Sequence, residues 1–246
     1  MVAVDVEAQI CFKEINLMKK PWVIVSLLIF TVVLLSGIKY CHSGFVPPIS
    51  DEIIRQTSIM PSPVEKIPPE QRTARDLILL GARQEVYNGT IYDASYQVIT
   101  YPQGDVSPER GACTDVIIRA YRNAGIDLQQ LIHEDMIKNF NLYPANWGLS
   151  APDPNIDHRR VPNQITYMQR HALELNIEVV EELDKWQWGD VVYWRFANGD
   201  QHCGIISDRT NWRGIPLVIH NAGIAREEDC LQRWKIIGHF RYQENY

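Results

Sequence analysis

One cysteine stands where a turn hands over to a helix. Gly111-Ala112-Cys113-Thr114-Asp115 leads into the amphipathic stretch Val116-Ile117-Ile118-Arg119-Ala120-Tyr121, which stops at Gly125. Unpaired N–H groups and the positive end of the helix dipole gather at such a first turn, and both favour the thiolate, the reactive form of cysteine. Farther along, Gln201-His202-Cys203-Gly204-Ile205-Ile206 and Leu217-Val218-Ile219-His220-Asn221 read as two short strands. A helix-borne Cys, a His on a strand and a polar residue on the next strand form the layout of a cysteine amidase or peptidase. The imidazole takes the thiol proton and returns it to the leaving amine, while the third residue fixes the imidazole tautomer.

Each of these residues has a plainer reading beside the chemical one. Cys113 as a lone cysteine reads as core, but the polar approach Pro108-Glu109-Arg110-Gly111-Ala112 is unlike the middle of a core helix. Cys203 competes as a nucleophile by residue type; successive strand residues face opposite sides, so it is expected to point away from His202. His220 and Asn221 are both candidates for orienting His202, and alternation allows only one of them. In Asn155-Ile156-Asp157-His158-Arg159-Arg160-Val161, Asp157, His158, Arg159 and Arg160 fit either recognition of a substrate carboxylate or an ion-paired loop brace. Asp115 fits a contact to a substrate amine or a cap on the cysteine turn.

These residues need elements to position them. Thr73 and Asp76 fit a capping box that opens a helix over 74–87. A short strand is expected within 92–101, a helix from Cys113, a second helix capped by Asp127 that runs to Phe140, and a loop over 143–163. Pro162 fits the first turn of one more helix, through Tyr167 and Leu173. The last third changes period: 189–194, 202–207, 217–220 and 238–242 read as strands. Helices first and strands later predict an α+β fold, with N-terminal helices packed on a C-terminal antiparallel sheet.

The start of the 246-residue chain has a different character. Residues 21–38 carry no charge and are long enough to span a bilayer. Lys13, Lys19 and Lys20 precede them, which places the N-terminal side in the cytoplasm. The predicted organisation is a cytoplasmic segment 1–20, a transmembrane anchor or signal peptide 21–40, a Pro-rich linker 41–71 and a folded domain 72–246. Met18-Lys19-Lys20 resembles a signal-peptide start, yet Ser36-Gly37-Ile38-Lys39-Tyr40-Cys41 is a poor cleavage site, so an uncleaved anchor is favoured. The domain then faces the periplasm from the inner membrane, or is periplasmic or secreted if the segment is cut. A net charge of −6 without a basic block argues against a nucleic-acid partner. The five cysteines show no zinc-ligand spacing, so no metal or cofactor is expected, and Cys203 with Cys230 is the pair available for a disulfide in the main domain once Cys113 is kept free.

Ser107-Pro108-Glu109-Arg110-Gly111-Ala112-Cys113-Thr114-Asp115 and Tyr121-Arg122-Asn123-Ala124-Gly125-Ile126 resemble the nucleophile segment of NlpC-type cell-wall peptidases, which are papain-like enzymes. His202-Cys203-Gly204 is similar to their His-x-Gly strand, and Val218-Ile219-His220-Asn221-Ala222 to the strand of their third residue, which aligns with His220. Cys113-Thr114-Asp115, residues 155–161, His220-Asn221 and Gly238-His239-Phe240-Arg241-Tyr242 resemble more closely a family of bacterial exported proteins known mainly as a domain of unknown function within that group. The resemblance runs from about Arg72 to the end. It departs at Ala112, where NlpC-type enzymes usually have Asp, and at Thr114-Asp115, where they have Ser-Gly. It implies a papain-like NlpC-type fold and a cysteine hydrolase acting on peptidoglycan, with Cys113, His202 and His220 catalytic, and with Asp115, Asp157, His158, Arg159, Arg160 and Asn221 offered as substrate contacts. An acyltransferase using the same Cys/His pair and a non-catalytic wall-binding module are the alternatives.

Overall fold

Thr73 and Asp76 close the expected box. Asp76 Oδ2 accepts from the Thr73 N–H at 2.8 Å, and Thr73 Oγ1 accepts from the Asp76 N–H at 3.4 Å. The helix they open, α1, spans Ala74–Asn88. This is a computed structural model, and it describes residues 62–243. The apolar run, its lysines and most of the Pro-rich stretch lie outside the described residues. Among those described, no helix is long and apolar enough to cross a membrane.

Two parallel two-residue strands follow, β1 at Ile91–Tyr92 and β2 at Arg110–Gly111. The strand expected within 92–101 ends at Tyr92. Beyond it, the Asp93 and Ser95 carbonyls accept from the Arg159 guanidinium at 3.1 and 2.8 Å instead of entering a ladder. Helix α2 spans Cys113–Asn123, and α3 spans Leu128–Asn139 with Asp127 capping the Gln129 N–H. Helix α4 spans Val161–His171 and has Pro162 in its first turn, as its sequence predicts.

Six strands complete the fold: β3 Leu173–Glu174, β4 Val191–Arg195, β5 Gln201–Thr210, β6 Pro216–Asn221, β7 Ala225–Glu228 and β8 Lys235–Arg241. They pair antiparallel in the order β3-β8-β4-β5-β6-β7. The α+β class expected from the periodicity is the class observed. Strand β7 escaped the sequence reading because Arg226-Glu227-Glu228 offers no apolar alternation; its acids are held by buried cationic and imidazole partners instead.

The two faces of the sheet carry separate cores. Ile78, Ala82, Val116, Ile117 and Ala120 from the helices pack with Val191, Tyr193, Cys203, Ile205, Ile219 and Phe240. On the opposite face Val192, Trp194, Ile206, Val218 and Cys230 pack with Val179, Trp186 and Leu231 from loops. Cys203 and Cys230 thus belong to opposite faces, and both are free thiols. The folded part also starts earlier than Arg72. Val64 is 1% exposed within the helix-side core, its N–H donates to Asp208 Oδ2 at 2.9 Å, and Glu65 reaches the buried Arg83.

Candidate active site

Cys113 is the first residue of α2, at the positive end of the helix. The turn before it is held by one half of a capping box, with the Ala112 N–H donating to Asp115 Oδ2 at 2.6 Å. The thiol is buried on the helix side of the sheet, in the core that also holds Cys203 of β5. Ladder pairing between β5 and β6 starts at Ile205 and Ile219, and beyond it the two strands meet through the rings of His202 and His220. The Cys113 thiol is held well below its ordinary pKa. Hydrogen bonding from the Cys203 side chain is the largest influence, burial opposes it, and the His202 ring and the Cys203 backbone lower it further.

Strand alternation places the rest. His202 stands opposite Trp194, and its ring packs near-parallel to that indole with centroids 5.7 Å apart; Phe196 and Trp234 border it at 5.4 and 5.6 Å. His202 Nε2 lies 2.8 Å from His220 Nδ1, and His220 Nε2 lies 2.9 Å from Glu228 Oε1. Gly204 makes this spacing possible. A Cβ there would come within 2.7 Å of Val218 Cγ1 and 3.2 Å of the His220 Cβ.

The protons in this line follow from its acid end. Burial raises the Glu228 carboxyl, but donors from His220 and Arg233 outweigh burial and bring it to about 2. An ionised carboxylate only accepts, so His220 Nε2 carries a proton. Burial, first among the influences on His220, lowers its pKa and keeps the ring neutral, which leaves Nδ1 a lone-pair acceptor. His202 Nε2–H therefore donates to it. In the neutral His202 ring, Nδ1 is then the basic nitrogen, the atom available to take a proton from Cys113.

An open groove of about 520 Å³ runs beside His202, lined also by Tyr92, Phe196, Asp200, Gln201 and Gly223. The Tyr92 hydroxyl pKa is pushed up to about 12 by burial and by the neighbouring Cys113.

The sequence of this region matches a known family. The model of the "Domain of unknown function (DUF1287)" family covers residues 79–242, two thirds of the chain and the whole of this site. The chain belongs to the DUF1287 family. Another protein, "Uncharacterized protein YijF" of Escherichia coli (strain K12), is 50% identical over 163 residues, 66% of this chain and 78% of that relative. No solved structure matches.

In this DUF1287 chain the remaining site candidates face inward. Arg159 makes a buried ion pair with Asp115 at 2.9 Å, where burial pushes the Asp115 carboxyl up and Arg159 pulls it down. Asp115 thus caps and braces the cysteine turn, and Arg159 braces the loop through the same buried pair. Asp157 is buried and pairs with Arg160 at 3.1 Å, and Arg160 also lies over the Trp147 ring at 4.0 Å. His158 is buried, its pKa lowered to about 3, first by burial and then by Arg159. Asn221 donates to the Thr90 and Gly111 carbonyls at 3.1 and 3.0 Å, tying β6 to the turn before Cys113. Of the two candidates on β6, His220 is the one in contact with His202.

Glu228 was not among the sequence candidates. Its one signal is position: an acid eight residues after His220 with a turn between, on the strand returning beside β6. As for metals, His220, Glu228 and Cys230 bring ligand atoms within 4.8 Å of one another. Glu228 Oε1 is already shared between His220 and Arg233, the latter at 2.6 Å, and a guanidinium at that distance opposes a cation there.

Proposed function

We propose that this DUF1287 domain is an exported cysteine amidase or peptidase of the papain-like, NlpC-type class, acting on an amide bond in cell-wall peptide. One observation carries this reading: the line of contacts from His202 through His220 to Glu228, beside a Cys113 thiol that the His202 ring helps to lower. It supplies a nucleophile with a depressed pKa, a base with its open nitrogen defined by tautomer, and an orienting group anchored by a carboxylate.

Cys113 attacks the scissile carbonyl as thiolate, and its backbone N–H, at the first helical position, helps hold the oxyanion. His202, protonated by the thiol, gives that proton to the leaving amine. It then draws a proton from water, which releases the acyl group. His220 and Glu228 keep Nδ1 of His202 as the working nitrogen throughout. The groove of about 520 Å³ beside His202, with Tyr92 and Phe196 along it, supports a peptide substrate. The apolar run at 21–38, preceded by lysines, supports an inner-membrane anchor with the domain in the periplasm, where that substrate lies.

The test is mass spectrometry of a muropeptide mixture incubated with the wild-type protein and with Cys113→Ala. New carboxylate and amine fragments with the wild type alone support hydrolysis. Conjugates to an added amine in place of the free acid would make the enzyme an acyltransferase. Identical profiles across a broad panel of stem peptides and cross-links would end the cell-wall reading.

A further inference from the structure

We propose that Cys203 is a second thiol of the site: its S–H donates a hydrogen bond to the Cys113 thiolate and holds that sulfur in place for attack. The proposal rests on Cys113 being the nucleophile.

The alternation that turns Cys203 away from His202 turns it toward the helix side of the sheet, where α2, the helix that Cys113 opens, packs on β5. Cys203 stands opposite Tyr193 in the β4–β5 register, and both lie in the helix-side core that contains Cys113. Cys203 is wholly buried and Cys113 nearly so, 0% and 4% exposed. A thiolate in such a place has lost most of its water and needs donors from the protein. Helix α2 supplies its N-terminal N–H groups, and His202 supplies an N–H once it has taken the proton. Cys203 adds a donor that is present before and after that transfer.

The two thiols also divide one proton unequally. Cys113 is lowered chiefly through Cys203, whereas Cys203 is pushed well up by burial and then by Cys113. Cys113 stands at the positive end of a helix and Cys203 in the middle of a strand, so the proton stays on Cys203, which makes it a donor and a poor nucleophile. The other titratable groups facing the pair are His202 from the same strand, Tyr193 from β4, Tyr92 from β1, and Asp115 with its partner Arg159. A change at position 203 leaves all of them in place.

The experiment follows iodoacetamide labelling of Cys113 against pH in the full chain, with the labelled cysteine located by peptide mass spectrometry. Cys203→Ala removes the donor, and Cys203→Ser keeps one. The alanine variant should raise the Cys113 midpoint by about one pH unit or more, the size expected for losing a hydrogen bond to a charged sulfur. The serine variant should stay near the wild type. An alanine midpoint equal to the wild type, or a serine midpoint as high as alanine's, would overturn the proposal, the second because packing alone would then explain the shift. If alanine fails to fold, Cys203→Val is the second variant without a donor. Labelling needs no substrate, so muropeptides left uncut would remove the amidase reading and leave this comparison intact. Intact cleavage with a midpoint indifferent to Cys203 would remove this proposal alone.

Discussion

Glu228 reaches His220 diagonally across two strands. In the β6–β7 register Glu228 is opposite Val218, two residues before His220, yet its Oε1 lies 2.9 Å from His220 Nε2. Side chains on one face of an antiparallel pair meet along that diagonal. The acid that anchors the histidine line therefore sits on a strand whose own sequence carries no strand pattern.

Replacing Glu228 by Gln should lower kcat/KM on a cleaved muropeptide by about 100-fold, the low end of what general acid–base catalysis contributes. The amide can place an N–H where the carboxylate accepted, which frees His220 to turn its protons around. His220→Ala should cost more than Asn221→Ala. Steady-state kinetics of the three variants checks this, and the reverse order for His220 and Asn221 would exchange their roles.

The same carboxylate gives a pH signature. With its folded pKa at about 2, below the unfolded value of about 4.3, Glu228 stabilises the fold fully above the unfolded value. That contribution falls away as pH drops through the folded value. Urea unfolding of the wild type and Glu228→Gln between pH 7 and 2 should show a gap that is constant above about pH 5 and closes toward pH 2. A gap that widens on acidification would contradict the ionised state assigned to Glu228.

Gly204→Ala should destabilise the protein by about 1–3 kcal/mol, the usual result of forcing a methyl group into a filled core. The added Cβ meets Val218 and the Ile219 carbonyl at 2.7 and 2.8 Å, so β6 must move and carry His220 with it. Activity should therefore fall more steeply than stability. Equal stability in urea with full turnover would show that β6 yields without cost.

Arg159→Met should cost about 3–5 kcal/mol, because it strands the Asp115 carboxylate in the core beside Cys113. Arg159→Met combined with Asp115→Asn should cost less than the sum of the two single changes. Denaturation of all three variants measures that coupling, and strict additivity would mean that the pair is not a pair in solution.

Starting the chain at Arg72 rather than Ser62 should leave a folded but weaker domain. The shorter chain loses Val64, whose burial is worth about 1.5–3 kcal/mol, and the donor to Asp208. Calorimetry of the two chain lengths should show the lower Tm for the shorter one.

The sequence by itself determined what depends on neighbours along the chain. Thr73 with Asp76, Asp127 and Pro162 announce their helices because capping is settled within one turn. The short apolar runs of β4, β5 and β6, bounded by turn residues, announce the strands of a sheet, and Cys113 announces itself because helix starts have a local signature. Tertiary structure decided everything that rests on residues far apart in number. Arg159 lies 44 residues from Asp115, so its type and surroundings suit a substrate clamp as well as a brace until the loop is folded against α2. Glu227 and Glu228 carry no local signal of burial, and they are drawn inward only because Arg83, Arg209 and His220 converge on them. Cys203 was turned the correct way by strand alternation, but which partner waited on that side depended on where α2 docks. The periodicity of a chain specifies the face on which a side chain lies, and packing alone specifies what stands opposite that face.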